Sequence, residues 1–300
     1  MQVIEAHPDE SLDLQRVEGI DQDLIVKPFN QKGTVTSLRE FTINALNLHH
    51  GVQADERFGV RQTGSDDFDQ DGIPREFTDG DVTALTLFQA TLSSPGVCLP
   101  VDAEIRSQIE EGQRLFSNCK CSDCHIPELE LRSAVFSEPS PYNVRGTIAS
   151  SNPEETVWVD LSHEMQSPKL ARDSSGRFMI RVYSDFKRHA IADNERPYWN
   201  NETTEQRLVP SNVFLTKRLW SVGNTAPYGH RGDVSTIVDA ISYHGAEANE
   251  SRAKFDRLSS FEQDCIVKFL KSLQIVPPGE SLIREEPEAK VLPYQKEVSQ

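Results

Sequence analysis

The chain has 300 residues, enough for one or two domains with cores of their own. Its formal charge of -16 and pI of about 4.9 set it against nucleic acid and anionic membrane surfaces and favour a cationic partner. No apolar run is long enough to span a bilayer, and the first residues, MQVIEAHPDE, lack the charged-then-apolar pattern of a secretory leader.

In chain order, the first chemical signal is D-F-D-Q-D-G, with Asp67, Asp69 and Asp71 before Gly72. Alternating carboxylates before a glycine turn are similar to the start of a calcium loop. The bidentate acid due at the twelfth position is replaced by Thr78, with Glu76 or Asp79 as substitutes. The alternative is a solvated acidic turn. A helix is predicted from Thr78, with Val82, Leu85, Phe88 and Leu92 on one stripe, ending at the SSPG loop. A second amphipathic stretch, carrying Ile109, Leu115 and Phe116, leads into C-S-D-C-H at 121–125.

Two thiols at i and i+3, with a histidine at i+4, share one face of a helical turn. That spacing lets Cys121 and Cys124 add to the two vinyl groups of one haem, while His125 takes the iron. A zinc site would want a second ligand pair, and Cys119 offers only a third thiolate. A thioredoxin-like dithiol would follow a βαβ pattern, which is missing here. The sequence therefore predicts at least one covalent haem c. Of five cysteines, Cys98 and Cys119 are left near this turn as a disulfide or as two buried thiols, and Cys265 as packing.

Beyond the motif, TVWVDL and RFMIRVYSDF alternate enough to predict a small β-hairpin between loop clusters rich in Pro and Asn. The last helix is predicted to start at a capping box, Ser259 or Ser260 with Glu262 or Gln263, and to bury Ile266, Phe269, Leu270 and Leu273. A charged tail follows Pro278.

Two segments repeat at one fixed shift. Ala226 pairs with Ala45, Gly232 with Gly51, Ser259 with Thr78, Phe269 with Phe88 and Leu273 with Leu92, always 181 positions apart. The same shift puts a counterpart of the haem motif upstream of Met1. The expectation is one full haem unit preceded by the back half of another, with a second motif and an export signal beyond the start.

CSDCHIPEL (121–129), SDFKRH (184–189), NTAPYGHRGDVSTIVDAISYHG (224–245), FEQDCIVKFLKSL (261–273) and SLREFTINALNLHHGVQADERFG (37–59) together resemble the bacterial di-haem cytochrome c peroxidase superfamily, in particular its di-haem oxidoreductase branch. The likeness covers most of residues 24 to 280. It implies a second axial ligand fourteen positions after His230, which is His244. A neutral imidazole there suits iron. Tyr243, Met179 and Met165 are rivals. The resemblance also places His230 near the haem as a hydrogen-bonding residue, and Trp220 where the superfamily has an aromatic between two haems. Turn structure and core packing are the other readings for these two.

The chain departs from the family's pattern around the peroxide-binding haem. The peroxide haem's motif is missing, and Asn47, Gln53 and Glu56 fall near the family's Gln and Glu without matching their register. His49 and His50 could face the missing haem or simply end a turn.

The fold expected is mainly α: a partial cytochrome c-like domain at 1–96, a cytochrome c-like haem domain at 97–278 with a small β-hairpin insertion, and a polar tail at 279–300. The function expected is electron relay through a His125/His244 haem, or simple electron carriage. The expected location is the periplasm or the extracellular side, and the expected partner a redox protein with a basic docking face.

Overall fold

The computed structural model describes residues 5–6, 12–13, 17–144, 147–148, 156–162, 170–277 and 280–286. Helix α1 (Leu38–His50) starts where the Ser37 side chain accepts from Glu40 N, and stops at Gly51, whose φ of 69° only glycine adopts freely. Two short helices, α2 (Asp55–Phe58) and α3 (Val60–Thr63), lead to α4 (Asp79–Ala90), which opens on a Thr78/Asp81 capping box. Ile43 of α1 and Val82 of α4 meet Ala54 in a small buried cluster.

The main core lies between α5 (Ala103–Asn118) and α8 (Ser260–Ser272), which begins at a Ser259/Glu262 capping box as the sequence predicts. Ile109, Leu115 and Phe116 of α5 pack with Ile266, Phe269 and Leu270 of α8. Each such side chain, fully buried, stabilises the fold by roughly 1.5–3 kcal/mol. Helices α6 (Ile237–Ser242) and α7 (Asn249–Asp256) join α8 to the site, with Phe255 of α7 sealing the core at 1% exposure.

Between these helices the chain is largely strand and loop, so the mainly-α expectation is overturned. Eight α-helices are accompanied by twelve short strands among the described residues. Strand β1 (Glu5–Ala6) pairs with β2 (Leu12–Asp13). Strand β3 (Pro95–Pro100) is the centre of a three-stranded sheet, antiparallel to β11 (Leu273–Ile275) and parallel to β12 (Ile283–Glu286). Part of the stretch read as a polar tail is therefore a strand.

The predicted hairpin does not form either. Strand β6 (Val157–Asp160), from TVWVDL, pairs with β5 (Val135–Glu138). Strand β8 (Phe178–Ile180), from RFMIRVYSDF, pairs with β4 (Leu129–Leu131) and β7 (Ala171–Arg172). Both alternate as strands should, but alternation says nothing about which strand is the partner. Strands β9 (Arg188–Ala190) and β10 (Val213–Leu215) make a further antiparallel pair beside the site. A cytochrome c-like domain is not what these elements show.

The repeat survives in part. The two capping boxes and the two left-handed glycines, Gly51 and Gly232, match at the 181 shift. The counterpart of α1, however, is a turn with one short 3-10 segment at Val222–Asn224.

Candidate functional site

Helix α5 delivers the C-S-D-C-H motif. Cys119 caps the helix, with its N–H donating to Leu115 O, and its side chain is locked in the core at 2% exposure as a buried thiol. Lys120 then takes a φ of 65°, which ends the helix and throws Cys121–Asp123 into a single 3-10 turn. His125 N donates to Cys121 O at 3.0 Å, closing that turn. Cys121, Cys124 and His125 thus ride on one compact loop, all partly buried. Burial pushes the Cys121 thiol up to about 12.

The His125 ring is oriented by the chain 58 residues on, where its Nδ1–H donates to Tyr183 O at 2.9 Å. A carbonyl can only accept, so the proton sits on Nδ1 and Nε2 keeps its lone pair. Burial, opposed by the Tyr183 carbonyl and reinforced by nearby His244, pushes His125 down to about 4. An aromatic wall backs the ring. Phe116 lies 6.2 Å from His125, 5.5 Å from Phe269 and 6.4 Å from Tyr183.

His244 follows α6, whose Thr236 side chain accepts from Asp239 N and whose last residue is capped by Tyr243. Its Nδ1–H donates to Ala240 O at 2.7 Å, so His244 has the same polarity as His125: Nδ1 tied to backbone, Nε2 basic. Burial lowers its pKa as well. The two imidazoles lie within electrostatic reach of one another. Two neutral, oriented imidazoles beside two thiols on one turn form a donor set that fits a covalently attached haem.

The rivals fare differently. Tyr243 stacks on Tyr198 with centroids 3.8 Å apart, in a second cluster around Trp199. Met179 lies in β8, opposite Glu130 and Ala171. Met165 lies outside the described residues. His230 sits with that second cluster, its ring stacked on Phe214 and its Nε2 bonded to Asn201 Oδ1 at 2.6 Å. Trp220 donates to Arg181 O at 2.9 Å, with the Arg218 guanidinium 5.2 Å from its ring.

His189 is the residue that sequence reasoning missed. Its Nε2–H donates to Asp185 Oδ2 at 2.9 Å and its Nδ1–H to Glu247 Oε2 at 2.7 Å. With both nitrogens donating, the ring is an imidazolium. Asp185, then Cys124 and Glu247, push it up to about 11 against the opposing effect of burial. The only signal in sequence was the Asp185–His189 spacing within SDFKRH.

In the N-terminal third, Asp67, Asp69 and Asp71 do converge, their ligand atoms within 4.8 Å of one another. Asp67 Oδ2 takes Gly72 N at 3.1 Å and Asp71 Oδ1 takes Ile73 N at 2.8 Å, so the loop's own amides already hold two of the three carboxylates. Asp69 and Asp71 are exposed, as in a solvated acidic turn, whereas Asp67 is half-buried. His49 and His50 are exposed at the end of α1. Gln53 N donates to Glu76. Glu56 is 1% exposed and bound to Arg39, which also pairs with Glu138 of β5. Glu56 therefore ties α2 to α1, and Arg39 carries the link on to β5.

No helix among the described residues is long and apolar enough to cross a membrane. No known family profile matches the chain. The chain is similar to the cytochrome-c peroxidase IdrP1 of Denitromonas iodatirespirans, at 23% identity over 219 residues, 68% of this chain and 51% of that protein. It thus spans about half the length of this relative. The likeness suggests a haem-based redox function.

Proposed function

We propose that the chain is a c-type haem electron-transfer protein of the di-haem oxidoreductase branch, in which Cys121 and Cys124 would attach the haem and His125 and His244 would ligate its iron. The observation that carries this reading is the matched polarity of the two imidazoles, each with Nδ1 given to a backbone carbonyl. When bound, the haem supplies a one-electron couple, set lower by two imidazoles than by a thioether partner. The chain's own residues do the rest. The Tyr183 and Ala240 carbonyls hold the rings in one tautomer, and Phe116, with Tyr183 and Phe269 behind it, walls the His125 ring off from water.

Residues 97–278 are proposed as the haem-bearing unit and 1–96 as part of a second one that lacks its own motif. The apolar outer face of α4 supports this. At the 181 shift Phe88 of α4 matches Phe269 of α8, yet it is 61% exposed where Phe269 is 2%. On α8 that position is covered by α5, whereas on α4 it lies open. The acidic charge supports a redox partner with a basic docking face. Haem attachment of this type supports an exported location.

A pyridine haemochrome spectrum tests haem type and count. Near-infrared spectra of the oxidised protein test the ligands: a bis-histidine band lost in His244→Ala supports the assignment, and an unchanged band rejects it. A second reading is simple electron carriage, which the two oriented imidazoles beside the motif turn would equally serve. Oxidation of a reduced donor by peroxide supports the peroxidase-type reading, and its absence the carrier.

A further inference from the structure

We propose that His189 is a positioning residue that clamps the segment bearing His244 to the segment that orients His125, so that one imidazolium holds both histidines in place. This rests on the reading of His125 and His244 as iron ligands.

Asp185 lies two residues after Tyr183, whose carbonyl fixes the His125 ring. Glu247 lies three residues after His244, in the turn Ala246–Ala248. His189 spans the two, with Asp185 Oδ2 at 2.9 Å on Nε2 and Glu247 Oε2 at 2.7 Å on Nδ1. Each carboxylate is itself anchored. Asp185 accepts from Lys187 N at 2.9 Å, and Glu247 Oε1 accepts from Ala190 N at 2.8 Å. The charged or titratable groups that face the His189 ring are Asp185, Glu247 and Cys124 of the motif turn.

The strength of the two arms differs. The Asp185 and His189 side chains are 5% and 18% exposed, whereas Glu247 is 55% exposed. The Asp185 arm is thus shielded and the Glu247 arm screened by solvent. The His244 segment needs such a clamp, because α6 is only six residues long and His244 lies beyond its end. Two backbone-anchored bonds reinforce the grip: Gly245 N to Ile191 O at 2.8 Å and Ala246 N to Asp193 Oδ2 at 2.7 Å.

The test uses the full chain matured in a host competent for cytochrome c assembly. It compares parent, His189→Gln and Glu247→Gln for the spin state of the oxidised haem and the rate of cyanide binding. The clamp predicts a high-spin fraction in His189→Gln and cyanide uptake faster by about tenfold or more. Glu247→Gln, at the exposed arm, should move both in the same direction by less. Parent-like spin state and cyanide rate in His189→Gln overturn the proposal. Should that variant not fold, the same null result in Glu247→Gln overturns it. A parent protein without a bis-histidine spectrum sinks the underlying ligand assignment instead, so the two failures are distinguishable.

Discussion

Gly112 of α5 lies so close to Cys265 of α8 that a methyl group on it would stand 2.0 Å from the Cys265 carbonyl oxygen. The two helix backbones touch at this point, and the C-S-D-C-H turn hangs from the end of α5 six residues beyond the contact.

Gly112→Ala should therefore force the helices apart. Overpacking of this kind costs about 1–3 kcal/mol. Urea unfolding should show the lower midpoint with an unchanged slope. A variant as stable as the parent would mean that the helices are not in backbone contact.

Phe269 and Phe88 make a paired test. Truncating Phe269, at 2% exposure, should cost about 3–5 kcal/mol. Phe88→Ala, at 61% exposure, should change stability by no more than about 0.5 kcal/mol in this chain alone. A large loss at Phe88 would show that its face is already covered.

The buried triad gives a third prediction. Arg39 is fully buried, with Glu56 2.6 Å and Glu138 3.0 Å from its guanidinium. Arg39→Met leaves two buried carboxylates without their cation, a loss of about 3–5 kcal/mol. Adding Glu56→Gln and Glu138→Gln should restore part of it, as measured by the same unfolding curves.

The His189 clamp has a pH signature. The Asp185 and Glu247 carboxylates raise its folded pKa above the value of about 6.5 for a free histidine. Folded protein keeps the proton through that window and unfolded protein does not. The stabilisation is therefore full below pH ~6.5 and is lost as pH climbs through the raised folded value. Relative to the parent, His189→Gln should flatten the alkaline fall in stability, and a parallel pair of curves would rule the effect out.

Local signals were legible. Thr78/Asp81 and Ser259/Glu262 announce their helices because capping involves only neighbours within one turn. The motif loop was legible for the same reason: its spacing is its geometry. The strands were legible as strands but not as partners, since β5–β6 and β4–β8 are chosen by packing between distant segments. Glu56, which falls near the family's Gln and Glu without matching their register, is ion-paired with buried Arg39, a partner hidden from local spacing because it lies seventeen residues away on another helix.

The sequence by itself determined the chemistry on offer: two thiols and an imidazole on one turn, a second histidine downstream, and an acidic surface. Residue type and near spacing suffice for that. Only the tertiary structure decided which nitrogen of each histidine is tied up, which carboxylates hold His189, and which apolar faces remain open. Those depend on carbonyls and side chains tens of residues away, brought near by the burial of α5 against α8 rather than by any pattern along the chain.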